Sequence, residues 1–165
     1  MFKKLIFAGL FTSILSAAGA QNYQLHSVFM YSFAKYIQWP DDASQGEFSI
    51  MVYGDSPILQ ELNTLAGKKK IGDRPIQVVQ INSLSDVRKC NILFVPGAKS
   101  GQLAEILGKL GDTPTLVVTE QSGAKGSSIN FTQKEGKLAF ELNSNALSKR
   151  KLRPASELTR LAIII

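Results

Sequence analysis

The chain has 165 residues, 44% hydrophobic and 19% charged, which suits one globular core and leaves little room for a second domain. Lys and Arg total 19 against 13 Asp and Glu, a formal charge of +6. His26 is the only histidine and Cys90 the only cysteine, so a site with two histidine ligands and an internal disulfide are both excluded.

The amino terminus reads Lys3, Lys4, an apolar run from Leu5 to Leu15, then small residues ending Ala18, Gly19, Ala20. This is the pattern of a secretory signal peptide over residues 1–20, cleaved after Ala20, and it predicts export to the periplasm. The run is shorter than the roughly 20 apolar residues that a bilayer-spanning helix needs. Cleavage removes Lys3 and Lys4 and leaves 17 basic against 13 acidic residues, a formal +4. An exported chain with that balance meets envelope surfaces and other proteins, and nucleic acid is not expected as a partner.

Residues 21–165 read as one domain. A helix is predicted over Asn22–Trp39, with Asn22 as N-cap and Pro40 as the stop. Helical projection gathers Leu25, Phe29, Met30, Phe33, Ala34, Tyr36 and Ile37 into a core-facing stripe. His26 falls at the edge of that stripe, which gives it a structural role. Tyr31 instead falls with Gln24, Ser27, Lys35 and Gln38, and Trp39 lies on the flank, so Tyr31, Lys35 and Trp39 form a candidate partner-binding surface. Asp41 and Asp42 fit a turn after Pro40.

Phe48–Tyr53 reads as a strand, and "GDSPILQELNTLAG" opens a helix capped by Asp55 or Ser56 with Pro57 in its first turn. Ile76–Ile81, Asn91–Val95 and Thr115–Thr119 are further strands, with a helix over Ser100–Leu110. Continuous apolar strands alternating with helices predict an α/β fold: a mostly parallel, Rossmann-like three-layer sheet with flanking helices. Alternation of Ile129 and Phe131 with Leu138, Phe140 and Leu142 around Gly136 predicts a C-terminal β-hairpin. A short basic helix follows to about Leu152. After Pro154 comes a last helix, capped near Ser156, with Leu158, Leu161 and Ala162 inward.

Chemistry is sparse along this chain. Cys90 opens a hydrophobic strand and reads as a small buried residue. Gly54 and Gly97 follow strands, but neither segment matches a dinucleotide or phosphate-loop fingerprint, so no cofactor and no metal is expected. In an open parallel sheet the default ligand site is the crevice outside the carboxyl ends of the strands. That crevice would be lined by Gly54, Asp55, Ser56, Gly97, Lys99 and Ser100, with Glu120 to Gly123 beside them. Two basic clusters remain: Lys68, Lys69, Lys70 and Arg74, then Lys149, Arg150, Lys151 and Arg153. They read as solvated loops and helix ends, or as contacts to anionic headgroups at the membrane surface or to an acidic partner.

Seven segments in order resemble the periplasmic YfiR family (DUF4154): "YSFAKYIQWP" from Tyr31, "FSIMVYGDSP" from Phe48, "GKKKIGDRPIQV" from Gly67, "CNILFV" from Cys90, "GSSINF" from Gly126, "KLAFELN" from Lys137 and "LRPASELTRLA" from Leu152. The resemblance implies an exported, non-enzymatic signalling regulator, dimeric, that binds the periplasmic part of an inner-membrane diguanylate cyclase or sensor kinase. Through that partner it would control cyclic di-GMP and biofilm formation. It implies no catalytic residues. The family's best-known member resembles a disulfide-controlled protein, and a lone Cys90 departs from that pattern. The alternative reading is a periplasmic small-ligand-binding protein that uses the strand-end crevice; a hydrolase or transferase fits least, for want of a nucleophile motif.

Overall fold

The computed structural model describes residues 17–165, with side chains from Tyr23 onward. Most of the expected leader, residues 1–16, and the side chains around the expected cleavage point lie outside the described residues. In chain order the elements are α1 (Ala17–Tyr36), β1 (Ile37–Gln38), β2 (Phe48–Tyr53), α2 (Ile58–Ala66), β3 (Lys70–Ile71), β4 (Arg74–Ile81) and β5 (Ile92–Val95). They continue with α3 (Leu103–Leu110), β6 (Leu116–Thr119), β7 (Ile129–Lys134), β8 (Lys137–Leu142), α4 (Ser144–Lys149), β9 (Arg153–Pro154), α5 (Ser156–Thr159) and β10 (Ile163–Ile164).

One sheet of eight strands runs in the order β10-β8-β7-β6-β5-β2-β4-β3. Its middle, β4-β2-β5-β6-β7, is parallel throughout. β3 pairs antiparallel at one edge, and at the other β8 runs antiparallel to β7 with β10 parallel to β8. The apolar runs explain the two-sided burial: successive strand residues point to opposite faces. Ile50, Val52, Ile92, Phe94, Leu116 and Val118 join Met30 and Phe33 of α1 and Ile58 and Leu62 of α2 in one core. Met51, Tyr53, Leu93, Val95 and Val117 join Leu103, Ile106 and Leu110 of α3 in the other.

The mostly parallel sheet with helices therefore stands, but a Rossmann-like winding would place a helix in every crossover. Here the β4–β5 connection holds only a 3-10 turn at Leu84–Asp86, and the β6–β7 connection holds no helix.

The predicted hairpin is β7–β8. Its register pairs Lys134 with Lys137, so Glu135 and Gly136 form a two-residue turn with φ of 52° and 74°. Positive φ at both positions is the type I′ geometry that matches strand twist, and glycine takes it without steric cost.

The ends of the chain depart from expectation. α1 begins before Asn22, at Ala17, and stops at Tyr36, because Ile37 and Gln38 leave the helix to pair with Pro154 and Arg153. The buried stripe of α1 is His26, Met30 and Phe33, with Ser27 and Ala34 beside it, and Ile37 of β1 is buried after it. Leu25 is 45% exposed, and Phe29 and Tyr36 are only partly covered. The last helix is a single turn, Ser156–Thr159, after which the chain returns to the sheet as β10. Leu158 is buried as expected, but Leu161 is 72% exposed, because it lies in the bend that leads into that strand.

Candidate functional site at the strand ends

Among the five parallel strands the order of winding reverses between β2 and β5, so the crevice predicted from the sequence falls at their carboxyl ends. The chain leaves β2 at Gly54, whose φ is 86° and whose N–H donates to the Ile81 carbonyl at 2.7 Å. A Cβ at Gly54 would stand 2.8 Å from Lys99 Cε, a contact that the flexible lysine can relieve, so glycine is needed there for its backbone. The Lys99 stem lies across Gly54, and its Nζ sits 5.8 Å from the centre of the Tyr53 ring. Lys99 thus covers the point of reversal.

Beside it, Ser56 is buried and its Oγ accepts from the Ile58 N–H at 3.4 Å, which supplies the cap expected for α2. Asp55 is exposed. The Gly97 N–H donates to Glu120 Oε2 at 2.9 Å, joining the ends of β5 and β6. Tyr23 of α1 lies at this cluster, lining one groove with Gly97 and Glu120. Burial raises the Tyr23 pKa above its ordinary value; the Glu120 charge and hydrogen bond add to this, and the bond to Ser56 opposes it.

The covered reversal leaves a groove on each side. Tyr23, His26, Gly97, Glu120, Ser122 and Phe131 contribute to one of about 470 Å³ on the α1 face. His26 is buried there, its ring edge-on to Phe131 at 4.2 Å. Ser100, Gly101, Leu103, Gln121, Gly123 and Lys125 contribute to another, of about 630 Å³, beside the start of α3. Of the six predicted crevice residues, Gly97 lines the first groove and Ser100 the second. Ser56 is buried before α2, and Gly54 and Lys99 meet each other.

The wall between these grooves is the loop from Glu120 to Ser128, held by residues that the sequence reading passed over. Asn130 is 1% exposed. Its Oδ1 accepts from Thr119 Oγ1 at 2.7 Å and from the Ser127 hydroxyl. Its Nδ2 donates to the Ala124 carbonyl at 3.2 Å and to Glu141 Oε2 at 3.0 Å. Glu141 also accepts from the Gly123 N–H at 2.6 Å and from Ser122 Oγ at 2.9 Å. Burial works against the Glu141 charge, but these three donors outweigh it and its pKa is lowered. The alternation of β7 and β8 could have placed Asn130 and Glu141 as paired neighbours; it could not show that the loop before them supplies their partners.

The predicted partner surface lies elsewhere. Tyr31 is half-buried and donates from its hydroxyl to the Lys70 carbonyl at 3.2 Å, across α1 toward β3. Lys35 is exposed, with its Nζ 5.2 Å from the Tyr36 ring centre. Trp39 packs perpendicular to Phe48 at 5.2 Å, and its buried Nε1 has no acceptor. Trp39 shares a groove of about 560 Å³ with Gln38, Pro40, Lys151, Leu152 and Arg153. The β1–β9 ribbon thus joins the aromatic end of α1 to the C-terminal basic cluster.

Each cluster contains an arginine whose guanidinium is engaged by backbone carbonyls. Arg74 donates to the carbonyls of Gly46 and Glu47 at 2.8 Å, of Gln45 at 3.2 Å and of Ala43 at 3.3 Å, and to Asn91 Oδ1 at 3.1 Å. It fixes the loop after Pro40, helped by the Asn91 amide on the Ala43 carbonyl at 2.8 Å. Arg150 is 4% exposed. No group of three or more His, Cys, Asp or Glu residues among the described residues could hold a metal ion, and no described helix is long and apolar enough to cross a membrane.

Among curated proteins no significant match to the chain is found. The family model described as DUF4154, YfiR/HmsC-like, covers residues 23–163, from Tyr23 of α1 to the strand at the C-terminal edge of the sheet, and the chain belongs to that family.

Proposed function

We propose that this protein is a periplasmic, non-enzymatic signalling regulator that binds the periplasmic part of an inner-membrane diguanylate cyclase or sensor kinase and so sets cyclic di-GMP output and biofilm formation. The observation that carries this reading is the family match across residues 23–163. The contact surface is the aromatic end of α1, with Tyr31, Lys35 and Trp39, and the protein works as a homodimer. Lys151 and Arg153 beside Trp39 add positive charge, suited to an acidic partner surface or to peripheral contact with anionic headgroups. The test is capture of the mature chain, residues 21–165, by the purified periplasmic domain of a co-encoded membrane cyclase or kinase. Saturable binding that weakens by about 2 kcal/mol or more in Tyr31→Ala or Trp39→Ala, with folding intact, is expected for a binding hot spot. Equal binding by both variants and the parent chain would remove this surface from the proposal, and failure of the parent chain to bind would remove the partner class.

A second reading, a small-ligand receptor, is favoured by the open groove of about 470 Å³ beside Glu120 and His26. It predicts ligand-induced thermal stabilisation that Glu120→Gln abolishes and Trp39→Ala leaves unchanged.

A further inference from the structure

Arg150 presents an electrostatic problem that the fold leaves open. Its side chain is 4% exposed, and the ion pairs among the described residues, Lys89 with Asp42 and Lys149 with Asp112, do not include it. Nη1 donates only to the carbonyls of Gly126 at 3.3 Å and Ala146 at 3.4 Å, both long contacts, and the buried Nε has no acceptor. Burial pulls its pKa down, with the Asp112 charge opposing. A cation taken out of water without a carboxylate partner is among the costliest arrangements in a protein, and a bound anion would offset that cost.

The surroundings point to what that is. Arg150 lines a groove of about 520 Å³ with Gly108, Gly111, Asn143, Asn145 and Lys149, a size suited to a small molecule. The groove lies where α3 ends, before β6, and where α4 starts, beside the first residue of β7. It therefore opens toward the amino ends of the strands, and it adjoins the groove beside α3 through Leu107. Glycines on the α3 side keep that wall low. Asn143 Oδ1 is engaged by the Ala146 N–H at 3.0 Å, which leaves its amide N–H groups to donate. Lys149 is bridged to Asp112 at 3.3 Å, so the two lysine and arginine charges exceed the one carboxylate. The carbonyl end of α3 offsets part of the excess, and that is the competing, purely structural role for the arginine.

We propose that this groove binds a small anion carrying a phosphate group, held by the Arg150 guanidinium with Lys149 and Asn143 as further donors. A guanidinium fork, an ammonium and an amide supply donors without acceptors, which matches the three oxygens of a phosphate monoester. The same chemistry occurs in a free phosphate ester and in a lipid headgroup; the concave site favours the free ligand.

The test is isothermal titration of residues 21–165 with inorganic phosphate and with glycerol phosphate at constant ionic strength, using chloride as control and phosphatidylglycerol vesicles in parallel. Saturable binding of the soluble phosphates is expected, weakened about tenfold or more in Arg150→Met and less in Lys149→Gln, since the guanidinium is the buried donor. Ligand-free Arg150→Met should melt no lower than the parent chain, because it loses an unpaired buried charge. If Arg150→Met does not fold, Arg150→Lys, which keeps the charge but loses the fork, takes its place in the titration with the same weakening expected. The proposal is overturned if the soluble phosphates do not saturate, if only vesicles bind, or if the variants bind as the parent does.

Discussion

Asn130 offers the sharpest check on how the strand-end wall is held. Replacing it with aspartate keeps the shape and exchanges one donor for an acceptor, so the oxygen that replaces Nδ2 would face Glu141 Oε2 across 3.0 Å. Two carboxylates at that distance repel by roughly 5 kcal/mol at an effective dielectric of about 20. The variant avoids most of this by holding one shared proton in the folded state, as paired carboxylates do. Keeping that proton at pH 7, when a free Asp titrates near 3.9, costs about 4 kcal/mol, which bounds the electrostatic part of the loss; the lost donor to the Ala124 carbonyl adds to it.

The signs separate this variant from the parent chain. In the parent, the folded-state pKa of Glu141 is lowered, so its contribution is fully present above the unfolded value of about 4.3 and is lost as pH falls through the lower folded value. In Asn130→Asp the folded state binds one more proton than the unfolded state. Its stability relative to the parent falls by up to about 1.4 kcal/mol per pH unit above pH 4. Urea unfolding followed by circular dichroism between about pH 4.5 and 7.5 measures this directly. Asn130→Ala serves as the control; it removes the amide from the network, leaves a small void and should cost about 2 to 4 kcal/mol with little pH dependence. A constant difference between Asn130→Asp and the parent across that range would refute the assigned network.

Burial pushes the Cys90 thiol up to about 12, outweighing the opposing bonds from the Met51 backbone and Thr115, so thiol labelling of the folded protein should be slow and should track unfolding; fast labelling in the folded state would show an accessible thiolate. Lys151 ends α4 at φ 58°, with the Leu152 N–H on the Leu147 carbonyl at 3.0 Å, a helix-ending geometry that favours glycine. Lys151→Gly should therefore raise stability by about 1 kcal/mol in chemical denaturation, and a loss would contradict the strain argument. Trp39→Phe removes an indole N–H that has no acceptor while keeping the ring on Phe48, so its melting temperature should stay near the parent's, and a large drop would contradict that reading.

The sequence by itself determined the elements whose stabilisation is local or repeats along the chain. Apolar runs such as Ile92–Val95 announce strands buried on both faces, and Gly136 with alternating neighbours makes the β7–β8 hairpin. The strand ends bearing Gly54 and Gly97 were legible for the same reason, since a turn after a strand leaves a glycine signal.

Only the tertiary structure decided which polar residues lose water, because burial of a charge depends on partners that arrive from far along the chain. Arg74 and its carbonyls are 27 to 31 residues apart, and Lys99 meets Gly54 only because β5 pairs with β2. Read locally, Arg74 and Arg150 belong to ordinary basic clusters; in space one clamps the loop after Pro40 and the other is buried without an ion-pair partner. The same holds for Ile37 and Gln38, which propensity assigns to a helix and the β1–β9 pairing draws into a ribbon. A hydrogen bond or ion pair contributes about 1 kcal/mol wherever it forms, whereas its partner's position is set by the summed burial of the whole sheet.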